Sequence, residues 1–397
     1  MQKYPDNPAI VLGNSSTNSL GVIRAYGRRG IPVYFIHTNG EKTASNSSKY
    51  LSKKIRLEKW EPSLLKQALT YLSNEVFGGK KIVVIPTNDA SLITYSSLKT
   101  SLPDIFVDCL SPNDLIESFV DKSKFYDLLK EENIPHPKTS DLMQFENILK
   151  NSVRFPFALK PIYSYQFEKT FDGKKLFQIE TENDLRYYLN LLEKKRVRAL
   201  IQEIIPGKQI YLVYFYITKQ HKVSVICGYH KIRQSPPDYG TASMVECSWN
   251  DELINKTISL VKKLGYTGIG EAEYKYDPQD GEYKLLEINV RSTNQNRFIP
   301  YLGADIELLY YLDALDYPIA AEIPIIQKSG IKWVDFQKDL RYLYYMHKTE
   351  GFSYYQFFKS YRNVKVDGYF SPDDLRPFFI EFNKLLKTSL RKIFNHQ

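Results

Sequence analysis

Cysteine is scarce. Cys109, Cys227 and Cys247 are the only three thiols in 397 residues. The number is odd and no Cys-x-x-Cys or Cys/His spacing occurs, which argues against a disulfide scaffold and against a zinc site. Reduced, buried thiols in a cytoplasmic protein are the expectation. Histidine is nearly as rare, with six residues and no pair at metal-ligand spacing; His230, beside Lys231 and Arg233, is the one that falls near basic company. Long apolar runs are missing as well. None approaches the ~18 residues of a membrane span. The N-terminus goes almost at once into Ala9-Ile10-Val11-Leu12-Gly13, too short for a signal core, so a strand is expected there. No Gly-x-Ser-x-Gly elbow or catalytic-cysteine signature occurs, so the chemistry is not expected to use a protein nucleophile. Gly13 and Gly21 are too far apart for the Gly-x-Gly-x-x-Gly dinucleotide turn.

What is present is charge of one sign in excess. Lys and Arg number 54 against 45 Asp and Glu, a net +9. Such a balance suits nucleic acid, membrane surfaces or acidic small molecules. No nucleic-acid motif accompanies it and the lysines are scattered, so a basic surface with a polyphosphate site is expected rather than a nucleic-acid partner. The composition, 43% apolar and 25% charged, is that of a globular protein, and the length suggests two or three domains at ~100–200 residues each. The 31 tyrosines read as core and surface.

Along the first ~120 residues, short apolar runs alternate with helical stretches, the pattern of a parallel sheet flanked by helices. Ala9–Leu12, Val33–Ile36 and Ile82–Ile85 read as strands, and Leu20–Arg28 as a helix ended at Gly30. The polar run from Gly13 to Asn18 reads equally as a ligand loop or a plain connection. Lys124–Glu132 is an amphipathic helix closed by Asn133-Ile134-Pro135-His136-Pro137. From 153 to 290 the chain is strand-rich, with helices near 182–195 and 251–264. Residues 305–318, 335–362 and 373–394 read as helices. The last places Phe378, Phe382, Leu385, Leu386 and Ile393 near one face, with Lys384, Lys387, Arg391 and Lys392 elsewhere. It is expected to pack on its own domain rather than lie on a membrane.

Phosphoryl chemistry on ATP requires cations on the phosphates, a hinge for adenine, and acids that place Mg²⁺. Lys160 ends the apolar strand Phe155–Leu159, and Lys122 opens a helix; each alone is an ordinary lysine. Leu200-Ile201-Gln202-Glu203-Ile204-Ile205-Pro206-Gly207 is a strand running into a turn, whose backbone can pair with a base. Gly270–Asp277 reads as a strand with Glu271, Glu273 and Lys275 on one face. Gln279-Asp280-Gly281-Glu282 is a hairpin turn. The returning strand, Tyr283–Arg291, puts Glu287, Asn289 and Arg291 on one face and Leu286, Ile288 and Val290 on the other. Glu273 thereby comes beside Glu287 and Asn289, hard oxygen donors that suit Mg²⁺.

Lys122, Lys160, Gln202-Glu203 with Pro206-Gly207, Glu273, and Glu287-x-Asn289-x-Arg291 resemble the ordered motifs of ATP-grasp enzymes over residues 8–320. The chain is most similar to carboxylate–amine ligases of the D-aspartate ligase type and to carbamoyl-phosphate-synthase-like ATP-grasp proteins; Leu20–Ala25, Asp121–Lys124 and Lys231–Pro236 carry this part. The resemblance implies an α/β and α+β fold. An N-terminal Rossmann-like domain (1–118) would precede two ATP-grasp lobes (119–202 and 203–320) and a C-terminal helical extension (321–397). It implies that Lys122 and Lys160 hold phosphates, and that Gln202, Glu203, Ile204, Ile205, Gln209 and Leu286 surround the nucleoside. Glu273, Glu287 and Asn289 would bind Mg²⁺, with Mn²⁺ as a substitute, and Arg233 and Arg291 would stabilise the transferring phosphoryl group. It further implies an acyl-phosphate mechanism joining a small-molecule carboxylate to an amine, one partner being an amino acid, in a cytoplasmic homodimer.

The sequence departs from that pattern in places. The segment after Lys160, Tyr163 to Lys169, is not glycine-rich, so Ser164 and Lys169 are expected to supply phosphate contacts. Gln209 stands in place of a glutamate, and paired glycines are missing after Arg291. These departures keep a second reading open, a non-catalytic nucleotide-binding regulatory module on the same fold.

Overall fold

The computed structural model describes residues 4–75, 79–142, 155–319, 325–326 and 328–394. Three sheets follow one another along the chain. The first is parallel, in the order β3-β2-β1-β4-β5. It is built from β1 (Ala9–Leu12), β2 (Val33–His37), β3 (Leu51–Arg56), β4 (Ile82–Pro86) and β5 (Phe106–Val107). Ala9–Leu12 and Ile82–Pro86 are buried throughout, as strands covered on both faces require. The helices α1 (Thr17–Gly27), α2 (Pro62–Glu75) and α3 (Asp89–Ser96) connect them.

The helix expected from Leu20 starts three residues earlier. Ser16 is its N-cap and accepts from the Ser19 N–H, so Ser16–Asn18 are a cap and first turn, while Gly13–Ser15 form the connection from β1. The sheet's order reverses between β1 and β4, and the connections that follow these two strands sit side by side. Gly13 is there because a Cβ would meet Thr87 Oγ1 at 1.9 Å.

Two helices, α4 (Asn113–Val120) and α5 (Lys122–Glu131), lead into a four-stranded antiparallel sheet in the order β6-β9-β7-β8. Its strands are β6 (Thr139–Asp141), β7 (Phe157–Pro161), β8 (Phe177–Ile179) and β9 (Ala199–Glu203). Its own core includes Phe157, Leu159, Phe167, Leu185 and Ile201. The helix Glu182–Lys195 on it opens with a capping box between Thr181 and Asp184.

The third sheet has eight strands. β10 (Ile210–Ile217), β11 (Val223–Ser235), β12 (Thr241–Cys247), β13 (Gly268–Asp277) and β14 (Glu282–Asn289) pair antiparallel in the order β14-β13-β10-β11-β12. Late segments complete it: β15 (Ile325–Ile326) beside β11, and β16 (Lys332–Val334) and β17 (Val364–Asp367) beyond β12.

The C-terminal region is therefore helical with strands interleaved. The stretch expected as one helix over 335–362 is two, Phe336–Glu350 and Tyr354–Lys359. Gly351 ends the first in the left-handed conformation (φ 64°), and Ser353 caps the second. The final helix is Arg376–Phe394. Its Phe378 contacts Phe370 and Phe382; the side chains of Arg391, Lys392 and Ile393 lie outside the described residues. Among the described residues no helix is long and apolar enough to cross a membrane.

Candidate functional site

A cavity of about 260 Å³ lies between the four-stranded sheet and the β13–β14 hairpin. Its lining includes Lys122, Lys160, Gln202, Glu203, Ile204, Ile205, Glu273, Leu286, Glu287, Asn289 and Arg291. The hairpin sets the acids. Glu271 pairs with Asn289 and Glu273 with Glu287, after which a bulge between Glu273 and Tyr274 shifts the register. Two carboxylates directly opposite one another repel, and cations nearby offset this. Lys231 Nζ lies 2.7 Å from Glu273, and Lys122 Nζ lies 3.5 Å from Glu287. Enclosure in the cleft opposes ionisation of Glu287, but Lys122, Lys160, Lys175 and Lys231 outweigh it and hold the carboxyl well below the usual range.

The remaining contacts order the wall. Asn289 Nδ2 donates to Glu287 (3.4 Å), and Arg291 donates to Asn289 Oδ1 (3.0 Å). Arg291 Nε also pairs with Asp89 at 2.6 Å, which brings the first residue of α3 into the site. Lys122 is the first residue of α5, whose cap is Asp121. Among the described residues, Lys160 Nζ meets only neutral groups, the Tyr126 hydroxyl at 3.3 Å and Gln202 Oε1 at 3.2 Å, and burial pushes its ammonium down. Tyr126 in turn donates to the Leu286 carbonyl (2.7 Å).

At the end of β9, Glu203 Oε1 takes the Lys138 N–H at 2.8 Å and the Lys284 ammonium at 3.3 Å. That carboxylate is occupied within the protein. Ile204 and Ile205 follow the strand and line the cavity, where their backbone groups can face a base. The donor set Glu273, Glu287 and Asn289 fits Mg²⁺. Among the described residues no three of His, Cys, Asp and Glu converge, so two carboxylates and an amide would leave the other positions to phosphate and water.

Three expected residues, Gln209, Arg233 and Lys169, are not brought to the cavity. Gln209 is exposed on the turn after Gly207 (φ 82°), and its carbonyl accepts the Tyr276 N–H. Arg233 points the other way. Alternation from Lys231 would face it inward, but the register slips at this point: Lys231 pairs with Val245 and Arg233 with Met244. The guanidinium instead pairs with Asp339 at 2.6 Å, donates to Ser360, and lies 4.8 Å from the Phe357 ring centroid. Gln234 takes its place in the lining. The segment Ser164–Thr170 is a helix, from which Ser164 reaches the cavity, whereas Lys169 is exposed and does not.

The cavity also holds residues that sequence spacing did not single out as ligands: Asp89, Glu168, Lys175, Lys231 and Glu271. Glu271 continues the face of Glu273 and was visible in the alternation. It accepts from Tyr229 and from Thr293 (3.0 Å), and burial pushes its carboxyl up to about 7. Lys231 carried part of the resemblance, and a strand pairing would have aimed it. Asp89 and Lys175 left no spacing signal, because one lies 202 residues from its partner Arg291 and the other on a connection.

A family model described as the ATP-binding domain of the carbamoyl-phosphate synthase L chain matches residues 241–297, which contain the hairpin. D-aspartate ligase of Enterococcus faecium (strain Aus0004) is 26% identical over 314 residues, 75% of this chain and 74% of the relative. The L-amino acid ligase of Bacillus licheniformis is similar in structure with TM-score 0.60 at 13% identity, over 83% of this chain and 79% of that one. The biotin carboxylase domain of 2-oxoglutarate carboxylase from Hydrogenobacter thermophilus, in complex with MgADP, ADP and bicarbonate, gives TM-score 0.64 at 16% identity, over 83% and 74%. The sheets, the order of the motifs and these likenesses agree on the fold: the chain has the ATP-grasp fold of these structures.

Proposed function

We propose that the chain is an ATP- and Mg²⁺-dependent ligase that activates a small-molecule carboxylate as its acyl phosphate and joins it to an amine, releasing ADP and phosphate. One observation carries this reading: the hairpin register that sets Glu273 against Glu287, next to Asn289 and Arg291, in a cavity shared with Lys122 and Lys160. The names of the relatives, D-aspartate ligase and L-amino acid ligase, point to an amino acid as one partner. A cytoplasmic homodimer stays part of the proposal; light scattering on the purified protein tests the dimer.

In this reading the backbone of Gln202–Ile205 and the side chain of Leu286 hold the nucleoside, and Lys122 and Lys160 hold its phosphates. Glu273, Glu287 and Asn289 would hold Mg²⁺, which when bound neutralises phosphate oxygens. Arg291 is fixed by Asp89 and Asn289 before any substrate arrives. It therefore meets the charge that grows on the transferring phosphoryl group with little reorganisation. The substrate carboxylate attacks that group, its anhydride bond to ADP breaks, and the amine then displaces phosphate from the acyl carbon.

The test is ADP and phosphate release from ATP and Mg²⁺ with pooled amino acids of both chiralities. Release that depends on the pool and is lost in Glu287→Gln, with the variant still folded, is the expected result. Full turnover in Glu287→Gln would sink the metal assignment. ATP bound with no ADP formed across a broad panel would favour the regulatory module.

A further inference from the structure

Lys175 stands between the helix Ser164–Thr170 and β8, and it lines the cavity half-buried. Among the described residues it makes no ion pair and no hydrogen bond. Desolvation pushes its ammonium down, and Glu287 and then Glu168 act on it through space from beyond contact distance. An ammonium taken out of water with no partner is costly, and proteins keep such a group where a ligand supplies the counter-charge. The missing partner is therefore an anion that enters the cavity. Its place is given by the charges that reach Lys175: Glu287, Glu168 and Glu273, with Lys231 of β11 among them, so the anion enters beside the proposed metal ligands Glu287 and Glu273.

Resting on the ligase reading of this cavity, we propose that Lys175 grips the terminal phosphate of the bound nucleoside triphosphate. Lys160 and Lys175 then approach the polyphosphate from the same end of two neighbouring strands, one from the end of β7 and one from the connection before β8. The chain needs no glycine-lined loop for this contact, because a side-chain cation makes it. The connection carries Asp172 and Gly173 at positive φ (50° and 81°), a turn that returns the chain to β8, which begins at Phe177 after Lys175 and Leu176.

The experiment compares Lys175→Met and Lys175→Arg with the parent protein in Mg²⁺ buffer. Calorimetry measures binding of ADP and of a non-hydrolysable ATP analogue, and thermal melting is followed without nucleotide. The expected outcome is a loss of about 10- to 100-fold in affinity for the triphosphate analogue in Lys175→Met, the scale of one charge-assisted contact. ADP binding stays within about twofold, Lys175→Arg restores most of the loss, and Tm without ligand is unchanged or higher because an unpaired charge has gone. A purely structural lysine would lower Tm instead. Unchanged binding of the analogue, or an equal loss for ADP, would each overturn the assignment. Failure of the parent protein to bind either nucleotide would instead remove the ligase reading on which it rests.

Discussion

Glu307 shows how a single buried acid makes this fold sensitive to pH. It lies on the helix Ile306–Ala314 at 1% exposure, where Oε1 accepts from Ser292 at 3.0 Å and Tyr214 at 3.3 Å. Burial, with Asp305 adding to it, pushes its carboxyl up to about 8, against an ordinary 4.5. The folded state therefore holds this proton more tightly than the unfolded chain. The stability it contributes is full below pH 4.5 and is lost as pH rises through 8. Glu307→Gln keeps the shape and removes the ionisation. Its advantage over the parent should widen by a few kcal/mol from pH 5 to pH 9, on the scale of 1.36 kcal/mol per pK unit. Urea denaturation at both pH values checks this; a constant difference would show that Glu307 does not titrate in the fold.

At the scale of elements, β11 decides which of its basic residues reach the cavity. Tyr229 and Lys231 face the acids of β13, and the slip after Lys231 then turns Arg233 to the far side, into the Asp339 carboxylate. That carboxylate is fully buried and also accepts from Ser243 at 2.8 Å and Tyr361 at 2.8 Å. Asp339→Ala should cost about 3–5 kcal/mol, because Arg233 would be left buried and unpaired. Arg233→Met with Asp339→Leu should recover much of that loss in the same denaturation assay. An equal cost in the single and double variants would mean that the pairing is not what fixes the strand.

This slip also marks where sequence reading stops. The β13–β14 hairpin was legible because its acids and apolar residues alternate strictly around a turn, and period two fixes a face. The helices expected near 182–195 and 251–264 are found at Glu182–Lys195 and Asp251–Lys263, each opened by a side-chain cap, Thr181 and Asn250. A single inserted residue, Ile232, breaks that arithmetic without changing composition, and the resemblance that implied a phosphoryl role for Arg233 carries no information about such a slip. The helix at Ser164–Thr170 is seven residues long, under two full turns, too short for its period to show in the sequence. The Asp89–Arg291 pair depends on how two sheets meet, which no local pattern encodes.

The whole molecule is tied by the stretch between β17 and the final helix. After β17 completes the large sheet, residues 367–374 turn back over α1. Arg24, fully buried, donates to Asp374 Oδ2 at 3.0 Å and to the carbonyls of Tyr369 and Asp374. Asp374 also accepts from Ser48 Oγ and the Lys49 N–H, and Arg28 pairs with Asp373 at 2.8 Å. Arg297, from the segment after the hairpin, donates to the carbonyls of Asp367, Gly368 and Phe370. One short segment thus holds the parallel sheet's first helix, the eight-stranded sheet and the chain beyond Arg291 in one arrangement. Asp374→Ala strands the Arg24 guanidinium and should lower stability by about 3–5 kcal/mol, a large part of the ~5–15 kcal/mol typical of a domain. Because both sheets depend on the clamp, Trp60 near β1 and Trp333 on β16 should report one earlier transition, while the nucleotide affinity of the folded variant stays within about twofold, since the cavity residues are untouched. Two separate transitions, with only the Trp60 signal moved, would show that the parallel sheet folds as its own unit and that the clamp joins parts already stable.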